Sequence, residues 1–251
     1  MPITSVAIDG SLPYISGLKD LDDFIVTNWF SDMPAHSGTN IGGFYFGYPV
    51  QNLTMNSFNN AIPATVHGSI DNSAGYISVN VDNYLDLGFV APAATKILGV
   101  IRRPPAPTDG NEYFIADLAG SGSDAVGLAI GVGTDGRLRA SAQNAGSSQA
   151  SVSSIAFPDS VAVGDFCAFA AHAIGAEVYI AVYDPTTQSY SGVNNSLPGT
   201  RVAGSTNVLL GRKTDNNTSS ASVDVVSVIV IDGAITGPQQ TAIMRYLLAM
   251  E

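Results

Sequence analysis

The chain is poor in the residues from which most catalytic and metal chemistry is built. A single cysteine, Cys167, among 251 residues excludes an intrachain disulfide and a thiolate metal cage, so stability must come from packing. Cys167 itself lies in the apolar run Asp165-Phe-Cys-Ala-Phe-Ala-Ala-His and reads as a small buried hydrophobe. Glutamate occurs only at 112, 177 and 251, and the three histidines, His36, His67 and His172, stand in unrelated contexts. That pattern offers no obvious set of three convergent zinc ligands. No serine occupies a Gly-x-Ser-x-Gly elbow, and no glycine-rich run carries a phosphate-loop lysine.

Positive charge is scarce as well. Ten bases against 21 acids give a formal charge of −11, and only Arg102-Arg103, Arg137/Arg139 and Arg212-Lys213 bring bases close together. Phosphate backbones and anionic lipid need denser basic clusters, so nucleic acid and membrane surfaces are disfavoured as partners. Long apolar runs are missing too. The most apolar window, Phe166 to Val182, is broken by His172, Gly175 and Glu177, so no membrane helix is expected. The start, Met1-Pro-Ile-Thr-Ser-Val-Ala-Ile-Asp-Gly, lacks the basic and apolar blocks of a secretory signal, and no export is expected.

What is present points to strands. Charged residues are only 12% of the chain, while Gly, Ser, Asn, Thr, Ala and Val dominate, a composition that favours turns and strands over surface helices. The length fits one sizeable all-β domain with an appendage. Residues 1–40 read as an N-terminal arm whose apolar side chains, Leu21, Phe24, Ile25 and Trp29, need a neighbour to cover them, either their own domain or another subunit. Residues 41–251 read as the domain.

Strand candidates follow in order: Gly43 to Tyr48, Gly75 to Val81, Tyr84 to Phe89, Lys96 to Arg102, Glu112 to Leu118, Val126 to Val132, Arg137 to Gln143, Asp165 to Ala173 and Ala176 to Asp184. Period-two alternation puts Leu85, Leu87 and Phe89 on one face. In the same way Leu138, Ala140 and Ala142 face inward while Arg137, Arg139, Ser141 and Gln143 face out. Asp135-Gly136 is a hairpin signal, and residues 144–151 read as a loop. The end of the chain constrains the fold most. A buried strand pair, Asn207 to Lys213 and Val223 to Ile231, precedes one short helix, and the apolar character of both faces between Val225 and Ile231 places that strand centrally. The helix opens on Thr236-Gly-Pro-Gln, a capping box with proline in the donor-free first turn, and carries the stripe Ile243, Leu247, Met250.

The order of these pieces resembles the concanavalin A-like lectin/glucanase superfamily, in particular its laminin-G-like branch. Tyr84 to Phe89 precedes Lys96 to Arg102. A Gly-Thr-Asp-Gly-Arg-Leu hairpin follows, Val163-Gly-Asp-Phe stands where the family has Gly-x-Trp, and Val208-Leu-Leu-Gly-Arg and Val223 to Gly233 close the pattern with the helix. The resemblance covers roughly residues 65–250, and Phe166-Cys167 replaces the family's usual Trp-His. It implies a two-sheet antiparallel β-sandwich of jelly-roll form with a short C-terminal helix. It also implies carbohydrate binding on one sheet face or its rim loops. Glucan-hydrolysing relatives carry Glu-x-Asp-x-x-Glu on one strand, and that triplet is missing here, so no catalysis is expected.

Calcium is the one cofactor the resemblance implies, with Asp109, Asp117 and Asp215 as candidate oxygen ligands, although ordinary solvated turns explain the same residues. For a saccharide, Tyr179 and Tyr183 share a face with Arg137 and Arg139 if their strands are neighbours, and Asp215 and Asn216 stand in the polar loop Thr214 to Ala221. Aromatic stacking plus polar donors would then divide the work of recognition. With the low-lysine composition and the arm, the resemblance leads to a non-enzymatic bacteriophage virion protein. It would be a tail fibre, tail tip or capsid surface module, docked to other virion subunits, oligomeric with a trimer favoured, and directed at host-surface glycan. A capsid decoration or cement protein without ligand and a polysaccharide-degrading enzyme are the alternatives.

Overall fold

The structure, a computed structural model, describes residues 28–47, 52–120, 122–214 and 220–251. These build a β-sandwich of two seven-stranded antiparallel sheets closed by one helix. The strands, in chain order, are β1 (Thr39–Tyr45), β2 (Thr65–His67), β3 (Ile77–Val79), β4 (Tyr84–Val90), β5 (Thr95–Arg102), β6 (Glu112–Ala116), β7 (Gly127–Val132), β8 (Leu138–Gln143), β9 (Ser151–Ile155), β10 (Phe166–Ile174), β11 (Glu177–Asp184), β12 (Ser189–Ser196), β13 (Asn207–Leu210) and β14 (Val223–Asp232), followed by α1 (Gly237–Leu248). The first sheet runs β1-β14-β5-β10-β11-β12 with β3 also on β14; the second runs β2-β4-β13-β6-β7-β8-β9.

Alternation decides what lies between the sheets. Leu85, Leu87 and Phe89 of β4, Leu128, Ile130 and Val132 of β7, and Leu138, Ala140 and Ala142 of β8 point inward. They meet Cys167 and Phe169 of β10, Ile180 and Val182 of β11, and Val228 and Val230 of β14 in one core. Phe114 and Phe169 touch edge to face at 5.5 Å across that core, an arrangement that aromatic quadrupoles favour.

The first sheet is apolar on its outer face too, because α1 covers it. Leu98, Val100, Ala168, Ala170, Ala181, Ile229 and Ile231 form a second cluster with Ile243, Met244 and Leu247 of the helix. The three alanines beneath the helix let it approach closely, as dense packing requires. The helix begins as its sequence predicts: the Gln239 amide donates to the Thr236 hydroxyl, the Thr236 amide donates to Gln239 Oε1 at 2.8 Å, and a proline sits in the first turn. Trp29 and Phe30 complete this layer, Trp29 lying 5.2 Å from the Tyr45 ring with its carbonyl accepting from the Tyr246 hydroxyl. This part of the expected arm therefore packs on its own domain. Leu21, Phe24 and Ile25 lie outside the described residues.

Three expectations about elements change, and β9 and β12 are added. Asn207 to Leu210 and Val223 to Asp232 are not a pair: β13 lies between β4 and β6 in the second sheet, while β14 is central in the first. β1 begins at Thr39 because residues 39–45 pair with β14, and β3 is only three residues long. Residues 144–150 form the expected loop, and β9 after it is not predicted from sequence; its Ser153 hydroxyl donates to the Val178 carbonyl at 2.8 Å and ties the two sheets together. The edge strand β12, polar and largely exposed, carries little apolar alternation and is not predicted from sequence.

Candidate functional site

The two sheets differ in what they show outward. The helix packs on β10, β5 and β11 of the first sheet, and the second turns polar and aromatic side chains outward. Strand register brings several of these into a single transverse row. His67 pairs with Tyr84, Tyr113 with Gly131, Gly131 with Arg139, and Arg139 with Ser154. Between Tyr84 and Tyr113 the chain leaving β13 is held by the Gly211 amide donating to the Phe114 carbonyl at 2.6 Å, and it delivers Arg212 and Lys213. Seven strands at the usual sheet spacing make the row about 29 Å long.

Contacts within the row are specific. His67 stacks on Tyr84 with ring centroids 4.4 Å apart and planes 6° apart, and the Arg212 guanidinium lies 5.1 Å from the same ring. The Lys213 ammonium sits 4.8 Å from the centroid of Tyr113, within cation–π range. The Tyr113 hydroxyl accepts from Asn111 Nδ2 at 3.2 Å and lies 3.4 Å from Ser141 Oγ on β8. Its ring therefore reaches across β7, where Gly131 presents no side chain and a Cβ would meet the Glu112 carbonyl at 2.2 Å. Arg139 bonds Asp135 at 2.8 Å and Asn111 at 3.4 Å, and Gly133 leaves room for that guanidinium. Arg137 directs Nε to Ser154 Oγ and Nη2 to the Ser154 carbonyl, both at 3.2 Å. Nearby on the same face Asn207 donates to Asp86 at 2.9 Å. Aromatic rings, amides and guanidiniums on a low-relief sheet can hold a polar ligand by stacking and by hydrogen bonds.

The structure separates the residues singled out from sequence. Arg137 and Arg139 are on this open face. Tyr179 and Tyr183 are not, because β8 neighbours β7 and β9 while β11 belongs to the other sheet, with its tyrosines facing the helix side. Tyr183 is 2% exposed. Tyr179 stacks on His172 at 4.7 Å and accepts from Gln240 at 3.1 Å, and burial pushes its hydroxyl up to about 12. Asp215 and Asn216 lie outside the described residues. Tyr84, Tyr113 and the pair Arg212-Lys213 were missed as partners of Arg139. Alternation shows that each tyrosine faces away from the core, but only the strand order reveals that they share a row.

Asp117 is no loop ligand. It is 1% exposed and paired with Arg201 at 3.1 Å, while its other oxygen accepts from the Leu128 amide at 2.8 Å. Burial holds its carboxyl above the usual range despite the arginine. Asp109 lies in an exposed bend before β6. Among the described residues no three His, Cys, Asp or Glu side chains converge as metal ligands, and no helix is long and apolar enough to cross a membrane.

A second polar cluster sits where β10 and β11 turn. Lys96 Nζ lies 3.4 Å from His172 Nδ1, His172 Nε2 lies 3.0 Å from Glu177 Oε1, and Asn194 donates to Glu177 Oε2 at 3.1 Å. Burial lowers Lys96 to about 8, and burial, reinforced by the lysine charge, lowers His172 to about 4. A shallow cleft opens beside them, walled by Ile174, Ala234 and Ile235. The three histidines remain apart: His36 bonds Asn40 at 2.8 Å, His67 belongs to the open face, and His172 belongs to this cluster.

Among the described residues, two antiparallel sheets, one covering helix on the first sheet and a polar outer face on the second define a β-sandwich. No protein-family model matches the sequence, and no curated protein is similar to it in sequence. Solved structures share the fold. The binding domain of botulinum neurotoxin serotype D aligns over 83% of this chain and 52% of its own, with a TM-score of 0.60 at 7% identity. Botulinum neurotoxin type C, whose cell entry depends on interaction with two ganglioside molecules, aligns over 83% and 51%, with a TM-score of 0.60 at 10% identity. A GH54 α-L-arabinofuranosidase mutant soaked with 4-nitrophenyl α-L-arabinofuranoside aligns over 70% and 41%, with a TM-score of 0.51 at 11% identity. The chain spans about half the length of these structures. At such identities the likeness is one of fold.

Proposed function

We propose that this chain is a non-enzymatic carbohydrate-binding module that holds a saccharide across the open face of its second sheet. The observation that carries the reading is the register row from His67 through Tyr84, Tyr113 and Arg139 to Ser154, which sets aromatic rings and hydrogen-bond donors on one face that no other described element covers. Structural neighbours that engage gangliosides or arabinofuranosides support it. The sequence features that led to a virion reading extend the proposal: the module serves on a bacteriophage particle, as a tail or capsid surface component, in a homo-oligomer with a trimer favoured and docked to other virion subunits through its N-terminal arm. A glycan array probed with the full chain tests the binding reading. Retention of at least one saccharide, lost in Tyr113→Ala at an unchanged unfolding midpoint, is the expected result; retention of none, or of the same saccharides by Tyr113→Ala, overturns it.

A further inference from the structure

The distribution of positive charge narrows the ligand. Of the ten bases in a chain of net charge −11, four, Arg137, Arg139, Arg212 and Lys213, stand on the open face of the second sheet. Of the five others described, Arg201 is buried against Asp117 and Lys96 against His172, Arg102 is paired with Asp224, Arg103 donates to the Val161 carbonyl and lies over the Phe157 ring, and Arg245 is on the helix. A protein that repels anions over most of its surface therefore gathers cations in one row, and a field of that kind concentrates anionic ligands locally.

The state of these cations matters as much as their number. The partners of Arg137 are a serine hydroxyl and a carbonyl, both neutral. Arg139 gives one nitrogen to Asp135 and another to an amide oxygen at 3.4 Å. The Arg137 guanidinium lies against Ser154, and that of Arg139 reaches Asn111, whose amide donates to the Tyr113 hydroxyl, so a planar anion bound between them would meet guanidinium donors with the Tyr113 ring one strand pair away. Guanidinium forks match carboxylates in a bidentate manner.

We propose that the saccharide held on this face is acidic, a sugar bearing a carboxylate that Arg137 and Arg139 receive while Tyr113 supports the ring. This rests on the carbohydrate-binding reading. A polyphosphate chain is the competing anion, and the observations favour the sugar. Four cations in a row, with Asp86 and Asp135 on the same face and a strongly acidic remainder, suit scattered carboxylates better than one phosphate per nucleotide.

The test uses the full chain and matched probes: an acidic polysaccharide, the same polysaccharide with its carboxyls reduced to alcohols, its sulfated counterpart, and oligothymidine. The acidic form should bind at least tenfold more tightly than the reduced one, with affinity falling as salt rises. Arg137→Ala with Arg139→Ala should erase that preference. Arg137→Lys with Arg139→Lys, which keeps charge and loses the fork, should recover only part of it and should bind sulfated and carboxylated forms alike. Equal affinity for the acidic and reduced forms overturns the charge inference and spares the carbohydrate reading. Tighter binding of oligothymidine than of any saccharide overturns both, as does the absence of any saccharide binding.

Discussion

The Asp117–Arg201 pair makes a quantitative prediction about stability. Both side chains are 1% exposed, and the pair joins the end of β6 to the segment between β12 and β13. Removing the carboxylate in Asp117→Ala leaves a buried guanidinium without its counter-charge, a change that costs about 3–5 kcal/mol. With a urea slope of about 3 kcal/mol per M, that lowers the unfolding midpoint by about 1–1.7 M. Arg201→Met in the same background removes the stranded charge and should return most of the loss, giving a strong coupling in the double-mutant cycle. The acid chemistry sharpens the test. Because burial raises the folded carboxyl above its unfolded value, its contribution is greatest below an unfolded pKa of about 3.9 and declines as pH rises through the folded value. Asp117→Asn, which keeps shape and an acceptor for Arg201, should therefore cost less at pH 7 than at pH 4. Urea titrations at both pH values check this. A loss below about 1 kcal/mol for Asp117→Ala, or a larger Asn penalty at pH 7, would refute the account of a dry, desolvation-dominated pair.

Two further outcomes follow from buried groups. Lys96 is lowered to about 8 by burial, so its favourable contribution is present above about 10.5 and is lost as pH falls through 8; Lys96→Met should raise the thermal midpoint at pH 7 and lose that advantage toward pH 10, by calorimetry at each pH. Cys167, fully buried and pushed up to about 12, should resist a thiol reagent at pH 8 in the native protein and react at the rate of unfolding, and prompt labelling would contradict its place in the core.

The sequence carries the sandwich well where one face of a strand is wet and the other dry. Leu85, Leu87 and Phe89 alternate with Tyr84, Asp86 and Gly88, and Leu138, Ala140 and Ala142 alternate with Arg139 and Ser141, so both strands are legible without a structure. The final strand is legible for the opposite reason, since Val228 and Val230 face the core and Ile229 and Ile231 face the helix. β12 is not legible, because Ser189-Tyr-Ser-Gly-Val-Asn-Asn-Ser lies at a solvent edge, where little apolar area is buried to mark a period. The candidate site was half legible. Outward direction is a local property, which is why Arg137 and Arg139 could be found. Sharing a face depends on which strands are neighbours, a long-range property, and that is why Tyr179 and Tyr183 were grouped with them while Tyr113, two strands away across Gly131, was not.

The division between the two outer faces itself makes a separable prediction. On the first sheet Leu98, Val100, Ile229 and Ile231 are apolar outward and need α1 to cover them, whereas on the second Tyr84, Tyr113 and Arg139 tolerate water. Stability should therefore depend on the helix side and ligand binding on the open side, with little cross-talk through a core of interlocked side chains. Leu247→Ala, fully buried on the inner face of α1, should cost about 2–5 kcal/mol while the folded fraction binds saccharide with unchanged affinity. Tyr113→Ala should show the reverse pattern. If Leu247→Ala weakens binding tenfold at a temperature where the variant is still folded, the faces are coupled, and the open sheet cannot be treated as a rigid platform set independently of the helix that closes the other side.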